Sequence, residues 1–223
     1  MKVLFIGNSY TYVNDLPKMV SDAAASVGAT IEVASNVKGG GLLSERLDAN
    51  NEMYLKLNDL YSKEDFDIIV LQEQSFLPAK DKDEFLRSVS GLRKYFSKGE
   101  DFVFYQTWAY KDGTPKLLAT EISYDEMWER LRDAYHEGAE ISDGIVCPVG
   151  DAFAYAKKFF PELELYDPDG SHLIPIGTYL AACMFCSVLT GISPLSIATA
   201  DGIDENDAKT VREIANVILG QLL

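Results

Sequence analysis

The sequence predicts an α/β fold: a three-layer α/β/α sandwich around a central, mostly parallel five-stranded sheet. Short apolar runs without alternation recur along the chain, the pattern of strands buried on both faces. Between them lie longer stretches whose apolar positions repeat at helical spacing. With 223 residues, 47% hydrophobic content and no Pro/Gly/Ser-rich linker, the chain has the size and apolar content of a single domain over residues 1–223. Strand-helix alternation with right-handed crossovers then gives a parallel sheet with helices on both faces.

The first strand is Val3-Leu4-Phe5-Ile6, which breaks directly into Gly7-Asn8-Ser9-Tyr10-Thr11. Ser9 therefore falls at the carboxyl end of a strand, the edge at which parallel sheets bind ligands. Leu16, Met19, Val20, Ala23, Ala24 and Val27 follow helical spacing, with Asn14 as N-cap, Pro17 in the first turn and Gly28 as the stop. Thr30 to Ser35 alternates as a short strand and leads into Val37-Lys38-Gly39-Gly40-Gly41. Phe66 to Leu71, Phe102 to Tyr105 and Gly144 to Cys147 supply the remaining strands, separated by helical patterns around Glu84 to Ser97 and Tyr124 to Glu140. The spacing of Trp128 with Tyr124, Leu131 and Tyr135 assigns it to the core. A loop from Phe160 to Leu173 precedes a helix from about Pro175 to Leu189. An amphipathic tail helix begins near Asp204, with Val211, Ile214, Ala215, Ile218 and Leu222 on one face, and is expected to pack on its own domain.

The formal charge of −15 lacks the basic footprint that nucleic acid or an anionic membrane surface attracts, so neither is an expected partner. The charge runs Lys80 to Glu84 and Asp201 to Asp207 read as solvated faces. Three cysteines make no disulfide framework, and Cys183 and Cys186, inside an apolar helical stretch without other metal-type ligands, read as buried free thiols. No metal or cofactor is expected. No apolar run reaches the ~20 residues needed to span a bilayer, and a first strand starting at residue 2 leaves no room for a leader. The sequence as it stands implies a cytoplasmic address, or an exported one if a leader was replaced by Met1.

A serine hydroxyl is a poor nucleophile near neutral pH and needs a neighbouring base, most often a histidine oriented by a carboxylate. The chain has two histidines. His136 sits in the charged helical stretch Asp133-Ala134-Tyr135-His136-Glu137 and reads as a surface residue. His172 closes the segment Asp169-Gly170-Ser171-His172 and is the stronger candidate base for Ser9. Asp169 is its candidate partner; Asp167, on the other side of Pro168, is the alternative, and either also suits an Asx-turn. Taken alone, a Gly-x-Ser after a strand is equally a turn or a helix cap.

Together, Gly7-Asn8-Ser9 and Asp169-Gly170-Ser171-His172 resemble the nucleophile and Asp-x-x-His blocks of the SGNH, or GDSL-type, hydrolases, with Asn8 where many members carry aspartate. The resemblance spans nearly the whole chain and implies a serine esterase with Ser9 as nucleophile, His172 as proton carrier and Asp169 as its orienting carboxylate. The family places an oxyanion-hole glycine after the second strand, a position assigned here to Gly40 among Gly39, Gly40 and Gly41. After the third strand the family shows Gly-x-Asn-Asp, whereas this chain has Leu71-Gln72-Glu73-Gln74-Ser75, with Gln74 opposite the asparagine. A glutamine amide offers the same donors on a side chain one methylene longer, so Ser9, Gly40 and Gln74 form the expected oxyanion hole. Similar Gly-Asn-Ser and Leu-Gln-Glu-Gln-Ser blocks occur in a branch of bacterial SGNH-like proteins, largely of unassigned function.

Asn8, Gln72, Trp108 and Tyr110 stand at the same strand ends and are candidate substrate-binding residues. The two aromatics suit either a wall for an acyl group or sugar ring, or core packing. Of Gln72 and Glu73, at least one is expected to face the cleft. No long apolar insertion supplies a lipid-binding lid, so the expected substrate is a small-molecule or carbohydrate ester with a small acyl group, O-acetyl foremost. Two other classes share the fold. A non-catalytic ligand-binding module is opposed by the retention of Ser9, Asp169 and His172. A flavodoxin-like nucleotide or flavin binder is opposed by a first loop without a basic residue or a Gly-x-Gly-x-x-Gly pattern.

Overall fold

The five apolar runs form strands β1 (Lys2–Gly7), β2 (Glu32–Val37), β3 (Ile68–Leu71), β4 (Asp101–Tyr105) and β5 (Ile145–Cys147) in a computed structural model that describes residues 1–220. All pairings are parallel, in the order β2-β1-β3-β4-β5. The chain leaves β1 for one neighbour, β2, and returns to its other side as β3. The loops after β1 and β3 therefore diverge at the carboxyl edge and open a crevice there, as doubly wound sheets do.

The helices are α1 (Ser9–Tyr12), α2 (Leu16–Ser26), α3 (Glu52–Lys63), α4 (Leu77–Lys80), α5 (Lys82–Tyr95), α6 (Pro115–Leu118), α7 (Tyr124–Ser142), α8 (Val149–Phe159), α9 (Pro175–Thr190) and α10 (Glu205–Gly220). Side-chain alternation along β4 fixes the layers. Phe104 packs on Phe85 of α5, and the next residue, Tyr105, packs on Phe185 of α9. Successive strand residues point to opposite faces, so α5 and α9 cover opposite sides of the sheet. α7 joins α5; α2 and α10 pack on α9, which is buried nearly all round and lacks a polar stripe for that reason. Among the described residues no helix is long and apolar enough to cross a membrane.

Several local expectations shift. The N-cap of α2 is Asp15, whose Oδ1 accepts from the Lys18 N–H, and not Asn14. Asn14 and Asp15 both adopt left-handed backbone (φ 56° and 52°), and the Asn14 amide instead donates to Leu173 O (2.8 Å) and Thr178 Oγ1 (2.9 Å). β2 lies two residues later than its alternation suggested. α3 and α8 carry no strong signal: α3 buries only Met53 and Leu57, and α8 has Gly150 in its first turn. Gly150 is there because a Cβ would collide with the Thr107 carbonyl. Trp128 is only half-buried, with its Nε1 donating to Asp151 Oδ1 (2.7 Å). Cys147, Cys183 and Cys186 are free and buried. The apolar face of α10 lies on α9 and α8, with Leu222 outside the described residues.

Phe185 is fully buried between Phe5 and Tyr105, at ring-centroid distances of 5.5 and 5.0 Å. Phe185→Ala is expected to cost about 3–5 kcal/mol, read as a lower urea midpoint at an unchanged m-value.

Candidate active site

The nucleophile turn is built from the residues that follow β1. Asn8 caps α1 by accepting the Tyr10 N–H (3.1 Å), and Ser9 opens that short helix at the strand end. Gly7 has no room for a Cβ, which would meet Gln72 Oε1 and Thr11 Oγ1. The late loop returns to this point: His172 Nε2 lies 2.8 Å from Ser9 Oγ, and His172 Nδ1 lies 2.6 Å from Asp169 Oδ2. Asp169 Oδ1 also accepts the backbone N–H groups of Ser171 and His172, each at 2.8 Å. Partial burial raises the pKa of Asp169, but the imidazole and these N–H donors outweigh it and hold the carboxyl below its ordinary value. Asp167 makes no contact with the ring; its Oδ1 accepts the Asp169 N–H in a local turn. His136 is exposed on α7.

Ser9, His172, Gly40, Gln74 and Lys116 line one small cavity of about 200 Å³. Gly40 occupies the left-handed position (φ 63°) of a turn closed by the Gly41 N–H donating to Lys38 O (2.9 Å). Of the three glycines it is the one that lines this cavity. Among the described residues no acceptor takes the N–H of Ser9 or of Gly40. The Gln74 carboxamide has a fixed orientation, since Oε1 accepts from both Phe76 N and Leu77 N at 3.0 Å. Its Nε2 donates one hydrogen to Ser75 Oγ (3.2 Å), leaving one N–H over. Ser9, Gly40 and Gln74 thus line the same cavity.

Of the four expected substrate-binding residues, Gln72, Trp108 and Tyr110 make buried contacts with the scaffold, and Asn8 does so while also lining the cavity. Gln72 is fully buried: Oε1 accepts from Asn8 N and Thr11 Oγ1, each at 2.9 Å, and Nε2 donates to Glu73 O. Glu73 is fully buried as well, so neither side chain faces the cleft. Asn8 sends its amide N–H groups to Gly41 O and Glu73 O (3.3 and 3.4 Å), which binds the β1, β2 and β3 loops together. Trp108 is sandwiched between Tyr10 and Phe153, and its Nε1 donates to Ser171 O (2.9 Å). Tyr110 is buried with its hydroxyl 2.7 Å from Ser75 Oγ. In each case a buried polar group needed a partner, and the neighbouring loop supplied it.

Sequence reasoning missed Arg46, the other half of this scaffold. It is fully buried, donating to Gly7 O, Asn36 O, Asn36 Oδ1 and Leu42 O at 2.6–3.1 Å. Its surroundings in the chain carry no periodicity that marks it. Glu73, nearby, accepts from Leu43 N (3.1 and 3.2 Å) and Gln74 N (2.6 Å). Burial pushes its pKa up to about 7 against the opposing pull of these N–H donors and Arg46. Among the described residues no group of three or more His, Cys, Asp or Glu converges as a metal site. A larger depression of about 520 Å³, lined by Asn14, Lys18, Asp22 and Tyr179 among others, has no histidine in its lining. Converging chemistry, not volume, marks the site.

An SGNH hydrolase candidate from Slackia heliotrinireducens shares 31% identity, with a TM-score of 0.74 over 85% of this chain and 98% of its own. This chain belongs to the SGNH hydrolase family. A DUF4886 family protein from Bacteroides uniformis covers 98% of this chain and 94% of its own at a TM-score of 0.83 and 22% identity. The acetyl xylan esterase AlAXEase covers 85% and 100% at 0.64 and 18%. These two share the SGNH hydrolase fold with it. No family model and no curated sequence matches the chain.

Two outcomes follow from the buried polar groups. Asn8→Asp introduces the residue common in SGNH hydrolases but removes both donors to Gly41 O and Glu73 O; it is expected to cost about 1–3 kcal/mol, measured by urea unfolding. Glu73 prefers its protonated form when folded, so its contribution is full below about pH 4.5 and is lost as pH rises through about 7. The stability difference between Glu73→Gln and the native chain should therefore move in favour of the variant across that window and level off above it.

Proposed function

We propose that this SGNH hydrolase is a serine esterase that removes small acyl groups, O-acetyl foremost, from a carbohydrate or other small molecule. The observation that carries the reading is the relay Asp169–His172–Ser9, at 2.6 and 2.8 Å, facing a cavity that Gly40 and Gln74 also line. In this reading Ser9 Oγ attacks the ester carbonyl while His172 Nε2 takes its proton. The carbonyl oxygen gains negative charge and accepts from Ser9 N–H, Gly40 N–H and Gln74 Nε2. His172 returns the proton to the departing alcohol, leaving an acyl-enzyme. Water, deprotonated by the same imidazole, then releases the acid and frees Ser9. Asp169 stays ionised throughout, holding the Nδ1–H tautomer and stabilising the imidazolium.

The cavity volume of about 200 Å³ supports a small acyl group, because drug-sized ligands occupy clefts of roughly 300–1,000 Å³. Two fold relatives, AlAXEase and Axe2 from Geobacillus stearothermophilus, are acetyl xylan esterases, which favours acetyl esters of sugars as the first to test.

Incubation with an alkyl fluorophosphonate is expected to add one adduct at Ser9, by intact mass and peptide mapping, and none in Ser9→Ala or His172→Ala. Failure of folded native protein to label would count against an activated serine and favour a binding module. On acetyl esters both variants should lose on the order of 10⁴-fold or more in kcat. Gln74→Glu keeps acceptors for Phe76 and Leu77 N–H but lacks the donor, so kcat should fall about 10²–10³-fold or more with the fold intact.

A further inference from the structure

Lys116 stands beside the reacting groups without a part in acyl transfer. It projects from α6 into the cavity lined by Ser9, Gly40, Gln74 and His172, whose other lining residues are uncharged apart from the ionisable imidazole. Its nearest carboxylate oxygen, Asp169 Oδ2, is 3.9 Å away and is already engaged by His172 Nδ1 at 2.6 Å. The surface lysines Lys38, Lys82 and Lys98, by contrast, hold carboxylates at 2.6–2.8 Å. The ammonium of Lys116 is thus left with donors unfilled at the mouth of the site.

Its placement is fixed by the fold. The ammonium sits 5.0 Å from the centroid of the Tyr110 ring, and the Tyr110 hydroxyl is tied to Ser75 Oγ. The segment leading into α6 is fastened to the histidine loop: Lys111 N donates to Gly170 O (2.8 Å), and the Thr114 side chain fills the space where a Cβ on Gly170 would come within 2.6 Å. Gly170 is left-handed (φ 71°), and these contacts join the segment leading into α6 to the loop that carries Asp169 and His172. An acetyl ester has no use for a cation here, since neutral donors serve its oxyanion. In a chain of net charge −15, a cleft lysine whose nearest carboxylate oxygen is 3.9 Å away and already engaged by His172 calls for a negative group on the substrate.

We propose that Lys116 is a specificity-determining residue that binds a carboxylate or sulfate on the substrate, so that the esters turned over best are acylated acidic sugars. The proposal rests on the serine-esterase reading. Its test compares acetate release from matched O-acetylated methyl glucoside, methyl glucuronide and methyl glucoside sulfate, with p-nitrophenyl acetate as a charge-free control for Ser9 chemistry. The native protein is expected to favour an acidic sugar over the neutral one at least tenfold in kcat/KM, and the preferred acidic arm identifies the group bound. Lys116→Gln should reduce that ratio about tenfold, mainly through KM, and Lys116→Arg should retain most of it. A ratio near one in the native protein, or a Lys116→Gln variant that slows all substrates equally, overturns the proposal; the latter result would make Lys116 a support for Asp169. Cleavage of p-nitrophenyl acetate through Ser9 without preference for acidic sugars overturns this inference alone. Absence of both ester cleavage and fluorophosphonate labelling overturns the esterase reading with it.

Discussion

The Gln72 carboxamide, packed against Gly7 at the point where β1 ends, is the contact on which the site is built. It receives the Asn8 N–H and the Thr11 hydroxyl, and so fixes the turn that presents Ser9. Around it, Asn8 bonds the carbonyls of Gly41 and Glu73, Arg46 spans Gly7, Asn36 and Leu42, and Glu73 receives Leu43 N and Gln74 N. Each of these groups lies away from water, where a lost partner costs about 1–3 kcal/mol. The loops after β1, β2 and β3 are therefore interdependent. A shared buried lattice of this kind holds the spacing of Ser9, Gly40 and Gln74 around the cavity they line.

A second set of contacts brings the far end of the chain to the same place. Tyr10 stacks on Trp108 at 4.4 Å, Trp108 stacks on Phe153 at 4.9 Å, and the Tyr10 ring lies edge-on to His172 at 5.6 Å. Trp108 Nε1 and the Tyr10 hydroxyl both engage Ser171, between Asp169 and His172. Aromatic pairs of this kind contribute about 0.5–1.5 kcal/mol beyond their buried area. The stack thus couples the residue next to Ser9 with the residue next to His172. Burial of the Tyr10 hydroxyl raises its pKa well above the ordinary phenol value, so it remains a neutral hydrogen-bonding group.

The Gln74 carboxamide is held by its own loop. Its carbonyl oxygen caps the start of α4, which pins the carboxamide and leaves the nitrogen side facing Ser75 and the cleft. Glu73, immediately before it, is forced into the interior by the same loop path and is held by backbone donors and Arg46 rather than by water.

The amino-acid sequence by itself determined the layered α/β architecture, the order of its strands along the chain and the position of Ser9 at a strand end, because burial on both faces leaves uninterrupted apolar runs and helices leave a 3.6-residue repeat. It also marked Asp169 and His172, since few histidines compete for the part. It could not separate the candidates at the strand ends. Gln72, Glu73, Trp108 and Tyr110 have the residue types of a binding site, yet all four are buried, and these hydrogen-bond partners lie 30 to 64 residues away along the chain. Nor does any local pattern distinguish Arg46 inside the lattice or Lys116 at the cleft mouth from a solvated basic residue. Tertiary structure decided these assignments because a polar side chain's role is set by which distant loop satisfies its hydrogen bonds, and that is a property of chain crossing rather than of local period.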